Sequence, residues 1–181
     1  MSKKYIPIIG TISAGKSTFL RAFLGIDMLQ IGATTTTKFV CLIKHNNTTS
    51  FYHVIPTLEK SIEFIKEGEE VKDLNEIKNK IIEINETLSN KKPIKKEDLF
   101  YILEIPIKNI NNSQLLENCY FMDIPGLNEN DTTYINDIFS LIKENDILFE
   151  IMIFDSTSIG SDNILNIFKD LEKKKLFKKK K

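Results

Sequence analysis

Apolar and polar residues alternate in two ways along the chain, and each way predicts a different kind of element. Short apolar runs bounded by turn-forming residues predict buried strands, while apolar residues three or four positions apart predict amphipathic helices. Strands are predicted at 5–9, 39–43, 50–55, 100–107, 119–122 and 147–154. Helices are predicted from 18 to 24, over 57–90, and at 132–143 and 163–174. This order favours one α/β domain, with a mostly parallel sheet and helices on both faces.

Two stretches refine this outline. Asn46 and Asn47 separate the second and third predicted strands, which predicts an antiparallel hairpin at one edge of the sheet. Over 57–90, apolar residues recur at helical spacing, with lysines and glutamates on the other faces. We interpret that stretch as amphipathic helices packed on the domain.

The loop after the first predicted strand carries the strongest chemical signal. Residues 10–17 read GTISAGKS and fit the phosphate-binding pattern G-x-x-x-x-G-K-[S/T]. Gly10 and Gly15 let the backbone curl around an anion, and the helix that follows adds roughly half a positive charge at its N-terminus. Lys16 is expected to reach the β- and γ-phosphates, and the Ser17 hydroxyl is expected to ligate Mg²⁺. The loop therefore predicts binding of a nucleoside triphosphate.

A second motif follows a buried strand near the middle of the chain. Residues 123–126 read DIPG, the D-x-x-G arrangement of GTPases. The Asp123 carboxylate is expected to hold Mg²⁺, usually through a water, and the Gly126 N–H to meet the γ-phosphate. Hydrolysis would then release the loop at about 127–133. An ATPase would more often carry Glu after the aspartate, where this chain has Ile124.

Four consecutive threonines, Thr34–Thr37, lie between the two motifs. One reading is an ordinary polar loop. The other is a switch threonine that donates its hydroxyl to Mg²⁺ and its carbonyl to the attacking water. We favour the second reading, with Thr36 first and Thr35 next, which gives a metal site of Ser17, Thr36 and Asp123.

Four stretches together resemble one family, the dynamin superfamily of large GTPases. They are SAGKST at 13–18, FLGIDML at 23–29, the threonine cluster, and DIPGL at 123–127. The long segment between the threonines and Asp123 is also similar to dynamin GTPase domains. The resemblance extends from Ile6 to about Asp155.

The resemblance implies a set of site residues. Ser13 would help to hold a monovalent cation, K⁺ or Na⁺, in place of an arginine finger, a device worth ~10³–10⁵ in rate. Thr36 and Gly126 would position the hydrolytic water, so that the catalytic set is Ser13, Lys16, Thr36 and Gly126. The nucleotide-binding set is Ser13, Ala14, Gly15, Lys16, Ser17, Thr18, Asp123 and Gly126. The family also implies GTP and GDP as ligands, homodimers across the nucleotide face, and membrane remodelling through peripheral contact.

The chain departs from the family pattern in two places. Typical dynamins carry Gln at the position of Ile12, and the apolar residue looks more like bacterial dynamin-like proteins. The guanine-reading N/T-K-x-D does not follow the strand that ends near Asp155; Lys96-Glu97-Asp98 has a K-x-D shape but precedes Asp123. We therefore expect a GTPase domain at 1–172 without its base-recognition part, and a Lys-rich tail at 173–181. The alternatives are a truncated or regulatory nucleotide-binding module with little turnover, and an ATP-preferring relative.

The composition of the chain limits the kinds of binding partner that we expect. The chain of 181 residues has 25 basic and 25 acidic residues, so no overall field favours nucleic acid. No apolar run approaches the ~20 residues of a membrane span, and no signal peptide is recognisable. We expect a cytoplasmic protein with, at most, peripheral membrane contact. Cys41 and Cys119 fall in apolar runs and are expected to be small buried residues rather than a disulfide.

Overall fold

The structure is a computed structural model that describes residues 3–25, 38–57, 63–90, 95, 98–110, 118–126, 138, 146–154 and 169. Within these residues lie seven strands, two α-helices and a short 3-10 helix. In chain order they are β1 (Lys4–Gly10), α1 (Lys16–Leu24), β2 (Val40–His45), β3 (Ser50–Thr57), β4 (Glu63–Val71), α2 (Leu74–Asn90), β5 (Phe100–Ile105), the 3-10 helix (Lys108–Ile110), β6 (Cys119–Asp123) and β7 (Ile151–Ile153). The helices predicted at 132–143 and 163–174 lie outside the described residues, apart from Ile138 and Lys169.

The strands form one mixed sheet in the order β4-β3-β5-β2-β6-β1-β7. Strand β1 pairs in parallel with β6 and β7, and β2 pairs in parallel with β5. The pairs β2–β6, β3–β5 and β3–β4 are antiparallel. The predicted α/β class is confirmed: parallel strands surround β1, and an antiparallel hairpin forms one edge.

That edge hairpin is β3–β4 and not the predicted pair of β2 with β3, because β5 lies between those two strands. The turn residue Asn46 is held by β5 at two points. Its main-chain N–H donates to the Ile105 carbonyl at 3.1 Å, and its side-chain amide donates to the Glu104 carboxylate at 2.7 Å. The local pattern predicted both strands correctly. It gave the wrong partners because strand pairing depends on contacts distant in sequence.

The helical interpretation of 57–90 is correct only for its second half. Residues Glu63–Val71 form β4, which pairs antiparallel with β3. Residues 65–70 are all exposed, and Ile65 is 59% exposed. The apolar residues whose spacing suggested a helix in this stretch therefore do not form a buried face. Main-chain pairing to β3 defines this strand, and its charged side chains suit an exposed sheet edge.

Helix α2 begins at a side-chain cap. The Asp73 carboxylate accepts hydrogen bonds from the main-chain N–H groups of Asn75 and Glu76, at 2.9 and 3.0 Å. Such a cap satisfies N–H groups that have no partner in the first turn of a helix. From there the predicted apolar stripe is confirmed, with Ile77, Ile84 and Leu88 buried.

The core lies along the centre of the sheet. Helix α1 packs on it through Leu20 and Leu24, both fully buried, while the more exposed Phe23 ring meets Phe121 of β6 edge-on at a centroid distance of 5.8 Å. Cys41 and Cys119 are buried as predicted, with 3% and 0% exposure. Among the described residues, no helix combines the length and the apolar character that a membrane crossing requires.

Asn109, on the 3-10 helix, ties that segment to the end of α1. Its side-chain amide donates to the Phe23 carbonyl at 2.9 Å and to the Ala22 carbonyl at 3.3 Å. Asn109→Ala is expected to lower the free energy of unfolding by about 1 kcal/mol, because these last-turn carbonyls lose their donor. Urea unfolding measures the effect, with Lys108→Ala as an exposed neighbouring control. Equal stability of the two variants would contradict the role of Asn109.

Candidate functional site

The phosphate-loop sequence forms the connection between β1 and α1. Gly10 ends β1 so close to β7 that a Cβ there would lie 2.1 Å from the Ile153 carbonyl oxygen. Only glycine permits this approach. Gly15 caps α1 with a φ of 89°, in the left-handed region that glycine adopts without strain. The structure therefore explains why glycine occupies both of these positions of the motif.

The loop turns sharply between these two glycines. The Ala14 N–H donates to the Thr11 carbonyl at 3.3 Å, and Ser13 has a φ of 61°. A left-handed conformation at a residue other than glycine is strained, and such strain is concentrated at functional sites. Ser13 is exposed, and the first turn of α1 has no acidic side chain. The N–H groups at the start of α1 are therefore not neutralised by a carboxylate of their own helix, as an anion site requires.

Lys16 lies inside this loop and is only 8% exposed. Its ammonium donates to the Gly10 carbonyl at 3.2 Å and to the Thr11 carbonyl at 3.0 Å. Burial lowers the pKa of Lys16, and the negative charge of Asp123 acts in the opposite direction. The loop thus holds a cation against its own main chain, close to the second motif.

Asp123 ends β6 with its carboxylate buried, at 3% exposure. The Ser17 hydroxyl donates to its Oδ2 at 3.5 Å, whereas Oδ1 is buried without a hydrogen-bond partner. Burial raises the pKa of the Asp123 carboxyl from 3.8 to about 6, although Lys16 and Ser17 both act to lower it. A buried acceptor without a donor is rare and costs free energy of folding. A cation or a hydrogen-bond donor placed next to Oδ1 would therefore be stabilising.

The donor set fits Mg²⁺. This ion prefers oxygen ligands and is usually bound through one or two protein oxygens, waters and substrate phosphates. Ser17 Oγ and the free Asp123 Oδ1 are oxygens of that kind. In the described part of the chain, no group of three or more His, Cys, Asp or Glu side chains could hold a metal. The geometry therefore suits an ion shared with a phosphate ligand.

Gly126 brings the second motif against the first. A Cβ on Gly126 would lie 2.8 Å from both Cα and Cγ1 of Ile12 and 2.9 Å from its N. Ile124 is fully buried between the two motif residues of DIPG. The chain after β6 therefore runs directly over the phosphate loop.

Other predicted site residues have different positions. Thr18 is exposed on α1, and Ala14 is half-buried in the loop. Thr34–Thr37, the loop at 127–133 and Asp155 lie outside the described residues. Their predicted roles stay predictions.

Sequence reasoning missed one polar contact near the site. The main-chain N–H of Lys38 donates to the side-chain oxygen of Asn85 on α2, at 2.9 Å. Asn85 is 5% exposed and adjoins the apolar residue Ile84. An asparagine within an apolar stripe was a readable signal, since such a residue needs a partner when buried.

Comparison with known proteins identifies the family. The sequence model of the Dynamin family matches residues 6–177. The chain belongs to the dynamin family. The resemblance predicted from the motifs is therefore confirmed at the level of the family.

Solved structures and curated proteins complete the comparison. Two matching chains come from structures of an oligomerised bacterial dynamin pair described as a mechanism for long-range sensing and tethering of membranes. Both are 18% identical to this dynamin-family chain and cover 98% of it, with TM-scores of 0.48 and 0.44. This chain spans 30% and 29% of their lengths. No curated protein sequence matches it.

The contact between Gly126 and Ile12 predicts a cost for any side chain at position 126. In Gly126→Ala the new methyl would meet Ile12 Cα and N. Because these are main-chain atoms, one segment must shift, and we expect a loss of about 1–3 kcal/mol in the free energy of unfolding. Ile12→Ala in the same chain should not restore stability. Urea unfolding of the single and double variants tests this, and recovery in the double variant would contradict the geometry.

The buried carboxylate predicts a pH-dependent stability. The native pKa of Asp123, about 6, exceeds the ordinary 3.8. The native state therefore binds more protons between these values, and stability falls as pH rises through that window. Asp123→Asn removes a penalty on the order of 3 kcal/mol, present in full above about pH 6. In nucleotide-free protein the variant should be more stable than wild type at about pH 7.5, and the difference should shrink toward about pH 4.

Urea unfolding at both pH values measures that difference. Other carboxyl groups titrate in the same range, but they are common to both proteins and cancel in the comparison. A variant that is less stable than wild type by the same amount at both pH values would contradict a penalty at Asp123.

Proposed function

We propose that this domain binds GTP together with Mg²⁺ and hydrolyses it to GDP and phosphate. The observation that carries the proposal is the convergence of Lys16, Ser17 and Asp123 at one edge of the sheet. The Ser17 hydroxyl reaches the Asp123 carboxylate across 106 positions of sequence, and the Lys16 ammonium faces the same carboxylate electrostatically. Family membership supports GTP as the nucleotide.

The phosphate loop would hold the triphosphate. Main-chain N–H groups from Gly15 to Thr18 would surround the phosphates at the start of α1, where the helix dipole favours an anion. Lys16 would exchange its bonds to the Gly10 and Thr11 carbonyls for the β- and γ-phosphate oxygens. A charge-assisted bond to phosphate is stronger than one to a neutral carbonyl, so the exchange is favourable.

Ser17 and Asp123 would hold the metal, and Thr36 would complete the set. When bound, Mg²⁺ supplies positive charge that offsets the negative charge on the phosphate oxygens. Asp123 Oδ1 would thereby gain the cationic partner that the protein does not give it. Binding and charge compensation at this carboxylate would occur together.

Hydrolysis would use the residues around Gly126. Its main-chain N–H and the Thr36 carbonyl would orient a water in line with the γ-phosphate, and Ser13 would help to hold a K⁺ or Na⁺ ion. Positioning and electrostatic stabilisation supply nearly all the catalysis of phosphoryl transfer. The protein's own contribution would therefore be a set of hydrogen-bond donors held in fixed positions around the phosphates.

One observation favours a second candidate function, a nucleotide-binding module with little turnover. Ile12 Cγ1 lies where a Cβ on Gly126 would approach within 2.8 Å. An apolar side chain therefore occupies the place next to Gly126, and that side chain offers no polar group to orient a water.

The wider proposals rest on the family alone. We propose a GTPase domain at 1–172 followed by a Lys-rich tail at 173–181, pairing of two copies across the nucleotide face, and peripheral contact with a membrane. Preference for guanine over adenine is part of the same proposal.

Lys16→Ala tests the proposed enzyme. Single-turnover hydrolysis of GTP with protein in excess and Mg²⁺ present should give phosphate release by wild type and none by the variant. Affinity for GTP should fall about 10–100-fold, because one charged hydrogen-bond donor is lost. Lys72→Ala, an exposed lysine between β4 and α2, is the matched control and should behave as wild type.

The outcomes separate the candidates. Equal hydrolysis by wild type and Lys16→Ala would refute the enzyme, and tight binding without hydrolysis by wild type would favour the module. Unlabelled ATP added as a competitor should displace GTP more weakly than GTP itself. Equal displacement would remove the guanine preference.

A further inference from the structure

Strand β4 forms one edge of the described sheet, on the side away from the phosphate loop. In the order β4-β3-β5-β2-β6-β1-β7, four strands separate it from β1. Neighbouring strands are ~4.8 Å apart, so about 24 Å separates β4 from β1. The main-chain groups on the free side of an edge strand can pair with a strand of another molecule. Since β4 has nine residues and β7, at the other edge, has three, β4 is the edge more open to such pairing.

A bulge interrupts β4. The register with β3 shifts between the pairs Phe51–Val71 and His53–Glu67. Between these pairs β3 contributes only Tyr52, whereas β4 contributes three residues, 68–70. Gly68 has a φ of 75°, in the left-handed region, and a Cβ there would meet nothing within 4 Å. The bulge therefore consists of two extra residues and a left-handed turn, and crowding does not cause it.

The bulge limits what the edge can pair with. A bulge bends its strand and increases the local twist, so a straight partner strand cannot follow β4 along its whole length. Regular pairing before the bulge is confined to Glu63–Glu67, five of the nine residues. Natural sheets use short edges and bulges to avoid edge-to-edge association.

Side chains from both ends of the bulge hold it in place. Lys66 Nζ pairs with Glu70 Oε2 at 2.6 Å and lies 4.7 Å from the centre of the Tyr52 ring. The hydrogen bond from Lys66 lowers the pKa of the Glu70 carboxyl. The Tyr52 hydroxyl in turn donates to Glu104 Oε1 on β5 at 3.4 Å. An exposed ion pair alone contributes little to stability, but this lysine also contacts the residue opposite the bulge.

We infer that this bulge closes the β4 edge against strand addition by a second copy of the chain. Two copies present the same edge to each other, which is the contact that two-fold symmetry produces. Charge alone does not close the edge. Strand β4 carries both signs, with Lys66 among several glutamates, and two copies could pair lysine with glutamate. The inference concerns an edge far from the phosphate loop and does not rest on the proposed function.

Deletion of Gly68 and Glu69 tests the inference. It leaves Glu70 opposite Tyr52, so that β3 and β4 can pair one to one, and it gives a regular edge strand of seven residues. We expect this variant to self-associate about tenfold more strongly than wild type, because the continuous edge becomes available. Sedimentation velocity of the nucleotide-free proteins, from micromolar to millimolar concentration, measures the association constant.

Gly68→Ala is the matched control. It keeps all three residues of the bulge but places a Cβ at a φ of 75°, so it should be less stable than wild type without associating more strongly. Urea unfolding compares the stabilities. Equal association of Gly68→Ala and the deletion variant would assign the effect to lost stability and overturn the inference. A folded deletion variant that associates no more than wild type would also overturn it.

Hydrogen exchange tests the edge in the wild-type protein, whether or not the deletion variant folds. The β4 amides that do not bond to β3 should exchange at rates that do not depend on protein concentration. Protection that grows with concentration would mean that the wild-type edge already pairs, and the inference would fail. In the deletion variant the same amides should gain protection as concentration rises. Association without this protection would place the contact elsewhere and contradict the closing role of the bulge.

Discussion

The structure depends on one unfavourable arrangement, a buried carboxylate with an unsatisfied oxygen. Asp123 lies at the end of the central strand β6, where Ile8 and Cys41 are its neighbours on the adjacent strands. Its environment raises its own pKa and that of the Cys41 thiol. An isolated charge at such a place would cost several kcal/mol. The opposite charge of Lys16 and the Ser17 hydroxyl make it tolerable, and a divalent cation would complete the compensation.

This arrangement explains why the two motifs must be adjacent. Burial lowers the pKa of Lys16 and raises that of Asp123, so each group is pushed toward its neutral form and held back by the other. Their mutual attraction offsets only part of the cost of burying each charge, and at Asp123 the burial cost remains the larger of the two effects. The interaction between Lys16 and Asp123 therefore links the phosphate loop to β6 within the protein itself.

The motifs were predictable because they are local. Gly10, Gly15 and Lys16 occupy fixed positions in a short loop, so their spacing alone determines the geometry that they can form. Strand partners were not predictable in the same way. Nothing near β2 or β3 in sequence indicates that β5 inserts between them, since that choice depends on packing across the sheet. Strand β4 was mistaken for a helix because an exposed edge strand need not alternate. Asn85 was predictable only in part. Its position among the apolar residues of the helix indicated burial, but its hydrogen-bond partner, Lys38, is distant in sequence and could not be predicted.

The direction of β2 determines which end of the sheet the preceding chain reaches. If β2 ran parallel to β6, its first residue would lie at the opposite end of the sheet from Asp123. Its antiparallel pairing, with Cys41 beside Asp123, instead brings the chain into the sheet at the edge where β6 ends and the phosphate loop lies. The parallel pairing of β2 with β5 then continues the sheet toward β3 and β4. Helix α2, which follows β4 in sequence, holds the chain just before β2 through the hydrogen bond from the Lys38 N–H to Asn85. A helix from the other half of the sheet therefore helps to fix where β2 begins.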